Sequence, residues 1–142
     1  MQPLAGKPVL DVTNYIPQRD GQIPGLSDGP PSSEVLQRHL PTAHVVKVFN
    51  NITCWHLGSL ARHADATDRS ALPIAGDDAA AKAAVTRFLD AIGYDTVDAG
   101  TLGAGGRRFQ FGTSAFVAPY GGLNDKPGAP AGVATIRAAL GL

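Results

Sequence analysis

Residues 44–51 of this 142-residue chain read His-Val-Val-Lys-Val-Phe-Asn-Asn. Apolar and β-branched side chains predominate before the two asparagines, and this composition favours a β-strand. The strand is predicted to end at Asn50 and Asn51, because asparagine is typical of turns. A helix is predicted to follow over residues 52–60, with Ile52, Trp55, Leu57 and Leu60 as its apolar side. This strand–helix unit indicates an α/β protein.

The same alternation extends towards the N-terminus. An apolar run over residues 8–12 predicts a strand, and its initial proline is tolerated at the first position of a strand. The Gly- and Pro-rich stretch over residues 15–31 is predicted to be a long loop, of the kind that is either functional or mobile. A short helix is predicted over residues 34–40, with Ser32 or Ser33 as its N-cap.

Further elements are predicted towards the C-terminus. They are a strand over residues 71–75, a helix with apolar positions at Ala81, Val85, Phe88, Leu89 and Ile92, a strand over 94–99, a loop over 100–130 and a closing helix over 131–140. Pro73 places its strand near an edge or a bulge, and Gly93 is typical of a left-handed residue that ends a helix. The order predicts one α/β domain over residues 1–142, with helices on a largely parallel sheet of about four strands.

Composition narrows the classes of function. Twelve basic residues balance twelve acidic ones, so nothing favours nucleic acid as a partner. No apolar run approaches the ~20 residues that span a bilayer, and no N-terminal signal core is evident. The single cysteine, Cys54, excludes an internal disulfide framework and suits a reducing compartment. We therefore expect a cytoplasmic protein without a membrane partner.

Polar or small residues follow three of the predicted strands, at residues 13–14, 50–51 and 76–77. Ligands of open α/β sheets bind beyond the carboxyl ends of the strands, so parallel strands would bring these turns together at one edge. The asparagines offer donors and acceptors to a ligand ring. The alternative is that each residue caps the turn or helix that follows, which is the more common role for Asp77.

No acid, base, nucleophile or metal motif is evident. Cys54, His56 and His63 have a spacing too loose for a metal site, and Cys54 has no base partner. The glycines of residues 103–106 lack the spacing of a dinucleotide fingerprint, and the arginines after them do not resemble a helix start. Arg107 and Arg108 have the charge to bind an anion, although solvated arginines are more common. Neither a catalytic residue nor a metal ligand is predicted.

Three blocks of sequence resemble one known family. They are residues 45–52 (Val-Val-Lys-Val-Phe-Asn-Asn-Ile), residues 72–78 (Leu-Pro-Ile-Ala-Gly-Asp-Asp) and residues 97–102 (Val-Asp-Ala-Gly-Thr-Leu). In this order they resemble the later part of NADP oxidoreductases that depend on the deazaflavin coenzyme F-420. A related fold serves as the cytoplasmic reductase part of some membrane metalloreductases. The resemblance extends from about Gly6 to Gly112, and residues 113–142 form a tail that it does not assign.

The resemblance implies a Rossmann-type fold of which this chain corresponds to the C-terminal half. The family's Gly-rich phosphate loop and its cationic group for the NADP phosphate belong to the other half and have no counterpart here. The local sequence also departs from the family at Thr101, which is usually proline, and at the loose turn of residues 105–106. We therefore expect a partial Rossmann-like fold and, for this chain alone, weak or no binding of NADPH.

The function implied by the resemblance is hydride transfer between NADP(H) and coenzyme F-420. The cofactors carry this chemistry and the protein orients them, so it needs no acid or base. Family position carries over no phosphate-binding residue and places Leu102 near the nicotinamide. The residues that it places at the coenzyme-facing mouth are Thr13, Asn14, Asn50, Asn51 and Ile52.

Two other hypotheses remain open from the sequence. One is a non-catalytic, truncated remnant or a module that associates with another chain. In that case residues 9–12 form an unpaired strand edge, which a homodimer or a complementary chain would cover. The other is a carrier or sensor that binds the deazaflavin but not NADPH. Parallel titrations with the two cofactors distinguish these hypotheses from the oxidoreductase.

Overall fold

A computed structural model describes residues 3–142, and the sheet is its central element. Its four strands are β1 (Pro8–Asp11), β2 (His44–Lys47), β3 (Ala71–Gly76) and β4 (Asp95–Asp98), in the spatial order β1-β2-β3-β4. The β1–β2 and β3–β4 pairs are parallel, whereas β2 and β3 are antiparallel. The sheet is therefore mixed but mostly parallel, which confirms the predicted α/β class.

Helices flank this sheet and connect its strands. They are α1 (Pro17–Asp20), α2 (Ser32–His39), α3 (Cys54–Ser59), α4 (Ala79–Ala91), α5 (Ala104–Arg107) and α6 (Val133–Leu140), with a 3₁₀ turn at Ala118–Tyr120. The single turns α1 and α5 lie in segments that were predicted to be loops. Among residues 3–142, no helix has the length and apolar character that crossing a membrane requires.

The longest helix, α4, ends as its sequence predicts, but its N-cap is Asp78 and not Asp77, whose carboxylate instead accepts from the Leu102 amide. The Asp78 side chain accepts a hydrogen bond from the Ala81 amide at 2.7 Å, which caps the N-terminus. Gly93 has a φ of +99°, and a Cβ there would lie 2.8 Å from the backbone of Arg62. The predicted apolar stripe is too wide, since Phe88 and Ile92 are exposed. The residues that α4 buries are Ala81, Val85 and Leu89.

Two predicted details of the shorter helices are wrong. Pro31, not a serine, occupies the N-cap of α2, because Ser33 lies inside the first turn and its hydroxyl donates to Asp11 at 2.6 Å. On α3, Trp55 is 54% exposed although it was predicted to be apolar and inward, and His56 is buried in its place. The His56 ring reaches the backbone oxygen of Asp125 at 2.6 Å, so that face of α3 holds the C-terminal segment.

Pro73 was predicted to place its strand near an edge or a bulge, whereas β3 is an interior strand between β2 and β4. β2 pairs only with the last two residues of β3. Closer to the start of β3, the Ala71 amide donates to Ala131 O at 2.7 Å, and the Tyr120 hydroxyl donates to Ala71 O at 2.8 Å. Proline has no backbone N–H to donate to a neighbouring strand. This is tolerated at Pro73 because the C-terminal segment, and not a strand, covers this part of β3.

The C-terminal tail over residues 113–142 contributes to the core. Its buried side chains pack in the same apolar cluster as Leu72 and Ile74 of β3. They are Ala115, Tyr120, Ala131, Ile136 and Leu140. The tail thus covers the first residues of β3 and contacts β4 through α6. β1 remains at the open edge of the sheet.

Candidate functional site

Only two of the three predicted polar turns meet at one edge of the sheet. Residues 13–14 and 50–51 converge, because β1 and β2 are parallel and the Asn14 Nδ2 donates to Asn50 O at 2.7 Å. The turn at residues 76–77 lies at the other end of β2, since β3 is antiparallel to it. Asp78 Oδ2 accordingly lies 3.6 Å from Nδ1 of His44, the first residue of β2.

The asparagines after β1 and β2 form a hydrogen-bonded group. The Asn50 Nδ2 donates to Asn14 Oδ1 at 3.1 Å and to Phe109 O at 2.9 Å, and the Asn51 Nδ2 donates to Ala115 O at 2.9 Å. Both side chains are buried. Within residues 3–142, the Oδ1 atoms of Asn50 and Asn51 have no hydrogen-bond partner. The group therefore holds the C-terminal segment and retains two free acceptors.

A polar cavity of about 190 Å³ opens beside this group. The loop that precedes α2 forms one wall, and the segment from α5 to Phe111 forms another. Of the six residues that family position assigns to the cofactors, Asn14 lines this cavity. Thr13 is exposed next to it. The side chains of Asn50, Asn51, Ile52 and Leu102 are buried and lie outside its lining.

A buried polar cluster beneath the cavity was not found from the sequence. Asp11 and Lys47 face each other in the β1–β2 register, and both are almost completely buried. The Asp11 carboxylate accepts hydrogen bonds from Ser33 Oγ (2.6 Å), Thr13 N (3.0 Å) and Thr13 Oγ1 (2.7 Å). The signal available in the sequence was a charged residue within each of two apolar strands.

Lys47 joins this cluster to the cavity, which its side chain lines. Its Nζ donates to Thr13 O at 3.2 Å and to Ser33 Oγ at 3.3 Å. Burial lowers the pKa of Lys47 from its ordinary value, and the negative charge of Asp11 opposes that shift only in part. The charged amine is therefore less stable here than in water, and an anion in the cavity would stabilise it.

The glycines of residues 103–106 serve close packing. Gly105 and Gly106 belong to the helical turn α5, which lies within the segment that was predicted to be a loop over residues 100–130. A Cβ on Gly105 would lie 2.7 Å from Ala99 O, so α5 packs directly on the chain that leaves β4. Of the two arginines that follow, Arg108 donates to Leu140 O at 2.7 Å, and Arg107 donates to Gly29 O at 3.0 Å. Arg108 thereby binds the C-terminal end of α6.

The side chains considered for a metal site have separate roles. Cys54 is exposed and free, whereas His56 is buried against the C-terminal segment. In the described part of the chain, no three His, Cys, Asp or Glu side chains lie close enough together to hold a metal ion.

Comparison with known proteins gives matches among solved structures. No family model and no curated protein matches the chain. One similar structure is a putative F420-dependent NADP-reductase from Arthrobacter sp. FB24, at 33% identity over 70% of this chain and 46% of that chain, with a TM-score of 0.55. Another is a hypothetical protein, SMa0349, from Sinorhizobium meliloti, at 31% identity over 76% of this chain and 51% of that chain, with a TM-score of 0.61.

The chain spans about half the length of these relatives. The match to the putative reductase combines sequence identity with a shared fold, over a share of this chain comparable to that of the resemblance from about Gly6 to Gly112. It confirms that this Rossmann-like α/β chain resembles the NADP oxidoreductase family that depends on coenzyme F-420.

Proposed function

We propose that this chain provides the deazaflavin-facing part of an oxidoreductase that transfers hydride between NADPH and coenzyme F-420. The observation that carries the proposal is the 33% identity to a putative F420-dependent NADP-reductase over 70% of the chain. The position of Asn14 and Asn50 supports it, because ligands of α/β sheets bind beyond the carboxyl ends of parallel strands. Free and exposed Cys54 is compatible with a reducing, cytoplasmic setting, which we include in the proposal.

The described residues do not fit the diphosphate of NADP. That group is normally held by backbone amides of a Gly-rich loop that opens a helix. The Gly-rich segment of residues 103–106 is instead packed against Ala99 and forms a single turn. We therefore expect this chain alone to bind NADPH weakly or not at all.

The Asn14 amide, which lines the cavity, fits one polar edge of a deazaflavin better. Its orientation is fixed, because its Nδ2 donates to Asn50 O and its Oδ1 accepts from Asn50 Nδ2. The second N–H of Asn14 Nδ2 has no partner in residues 3–142 and would hold a ring acceptor in one position, which is the protein's contribution to cofactor-based hydride chemistry. The cavity of about 190 Å³ is smaller than the roughly 300–1,000 Å³ of most ligand sites, so it holds only part of a cofactor.

Parallel fluorescence titrations with coenzyme F-420 and NADPH test the proposal. We expect saturable binding of F-420 and no saturable binding of NADPH. Asn14→Ala should weaken F-420 binding about tenfold, which corresponds to loss of about 1.4 kcal/mol. The matched control is Asn124→Ala, at an exposed position in the C-terminal segment. Absence of F-420 binding would refute the proposed function. Micromolar binding of NADPH would refute the expectation that this chain alone binds NADPH weakly or not at all.

The open edge of the sheet favours association with a second copy of the chain. β1 ends the strand order, and Leu10 and Val12 beside it are exposed. We propose that β1 pairs with its counterpart in a homodimer. Light scattering should report a dimer that Leu10→Lys dissociates, because a lysine on an edge strand opposes pairing. Leu123→Lys, at another exposed leucine, should leave the dimer unchanged, and a monomeric wild-type chain contradicts this part of the proposal.

A further inference from the structure

The charged side chains that line the cavity are all cationic. Lys47 and Arg107 are its cationic side chains, and among residues 3–142 no aspartate or glutamate lines it. The two cations come from different parts of the chain, since Lys47 ends β2 and Arg107 ends α5. The cavity is therefore electropositive, although the formal net charge of the chain is zero.

The Lys47 amine is incompletely coordinated. Its contacts with Thr13 O and Ser33 Oγ, at 3.2 and 3.3 Å, are longer than the roughly 2.7–2.9 Å of strong charge-assisted hydrogen bonds. An ammonium group has three donors, so one donor has no partner in the described chain. The carboxylate of Asp11 is already bound by Thr13 and Ser33. The Lys47 side chain, which is buried and lines the cavity, thus keeps one unused donor.

Two further groups at the cavity have unused donors. Arg107 is exposed and binds Gly29 O through Nη2, which leaves the other four guanidinium donors without a partner in the described residues. The N-terminus of α2 also lines the cavity at Ser32, and Pro31 provides no side-chain cap there. The first amides of a helix have no intrahelical acceptor and favour negative charge.

We propose that this cavity binds a small oxyanion, a carboxylate or a phosphate group, between Lys47 and Arg107. The volume of about 190 Å³ accommodates a small anion or the anionic group of a larger molecule. Ser32 at the start of α2 supplies a third, neutral donor group. This inference concerns the charge of the ligand and does not depend on the proposed hydride transfer.

The experiment is an NMR titration of the full chain with inorganic phosphate and, separately, with acetate, at constant ionic strength set with chloride. We expect saturable shifts at the amides that line the cavity, around Ser32 and Arg107. The stronger of the two titrants identifies the class of anion. Arg107→Gln and Lys47→Met should each weaken binding about tenfold, as expected for loss of about 1.4 kcal/mol.

The matched control is Arg137→Gln, which removes the same charge from exposed α6 and should change the affinity less than about twofold. Arg107 is also exposed, so its variant should fold even if Lys47→Met does not. The inference is overturned if neither anion causes saturable shift changes at these amides. It is also overturned if the affinity for the anion is unchanged in Arg107→Gln. Failure of F-420 to bind, with the phosphate or acetate shifts intact, refutes the proposed function and leaves this inference standing.

Discussion

Gly105→Ala is expected to lower the free energy of unfolding by about 3 kcal/mol, because the new methyl group meets backbone that has no room to move. Its Cβ would lie 2.7 Å from Ala99 O, 2.8 Å from Ala99 C and 2.9 Å from Gly100 C. The amide of Gly105 also donates to Thr101 O at 2.9 Å, which fixes the turn. Urea denaturation followed by circular dichroism measures the change.

Gly58→Ala provides the control for this substitution. Gly58 lies in α3, and a Cβ there meets no atom within 4 Å. Since alanine favours a helix by about 1 kcal/mol over glycine, this variant should be as stable as the wild type or slightly more stable. Equal stability of Gly105→Ala and the wild type would contradict the packing of α5 on the chain after β4. A displaced α5 would also move Arg107, which ends this helix, away from the cavity.

Asp11→Asn is expected to lower the free energy of unfolding by about 2 kcal/mol, because it leaves the buried Lys47 amine without its countercharge. Lys47→Met should cost less than about 1 kcal/mol, since the Asp11 carboxylate keeps its hydrogen bonds from Thr13 and Ser33. The double variant should then be more stable than Asp11→Asn alone. Strictly additive effects in this double-mutant cycle would contradict a charge interaction between the two strands.

The pH dependence of stability provides a second readout of Lys47. Its pKa is lowered in the folded state from the ordinary value of 10.5, so the folded protein releases this proton at lower pH than the unfolded chain. Between the two pKa values the unfolded state binds more protons, and stability therefore rises with pH in that window. At pH values below this window Lys47 is charged in both states, and the full free-energy cost of burying its charge remains. Lys47→Met should remove this rise, and an unchanged pH profile would exclude Lys47 as its source.

The order of helices and strands was predictable because it depends on local patterns. The apolar run over residues 44–49 and the capping residue Asp78 each specify an element through near neighbours in sequence. The direction in which β3 pairs with β2 depends on the course of the connection between them, which no local pattern encodes. For this reason the turn at residues 76–77 was placed at the wrong end of the sheet.

The site was predictable where it depends on parallel strands and was missed where it depends on burial. Asn14 and Asn50 meet because β1 and β2 run in the same direction. The roles of Asp11 and Lys47 were missed because a charge in a short strand usually faces water, whereas here tertiary packing, including that of α2 on β2 and of Gly106 on Lys47, encloses them. The contact of Tyr120 with Ala71 likewise joins residues that are 49 positions apart.

The antiparallel pairing of β2 with β3 divides the sheet into two halves whose strands run in opposite directions. The strands of the β1–β2 half end at the cavity, and those of the β3–β4 half end at Asp77, whose carboxylate binds the amide of Leu102 at 3.0 Å. One short segment nevertheless joins the two rims, because Arg107, five residues after Leu102, lines the cavity. A substitution at Asp77 would therefore be felt at the cavity through residues 102–107, without passing through the hydrophobic interior.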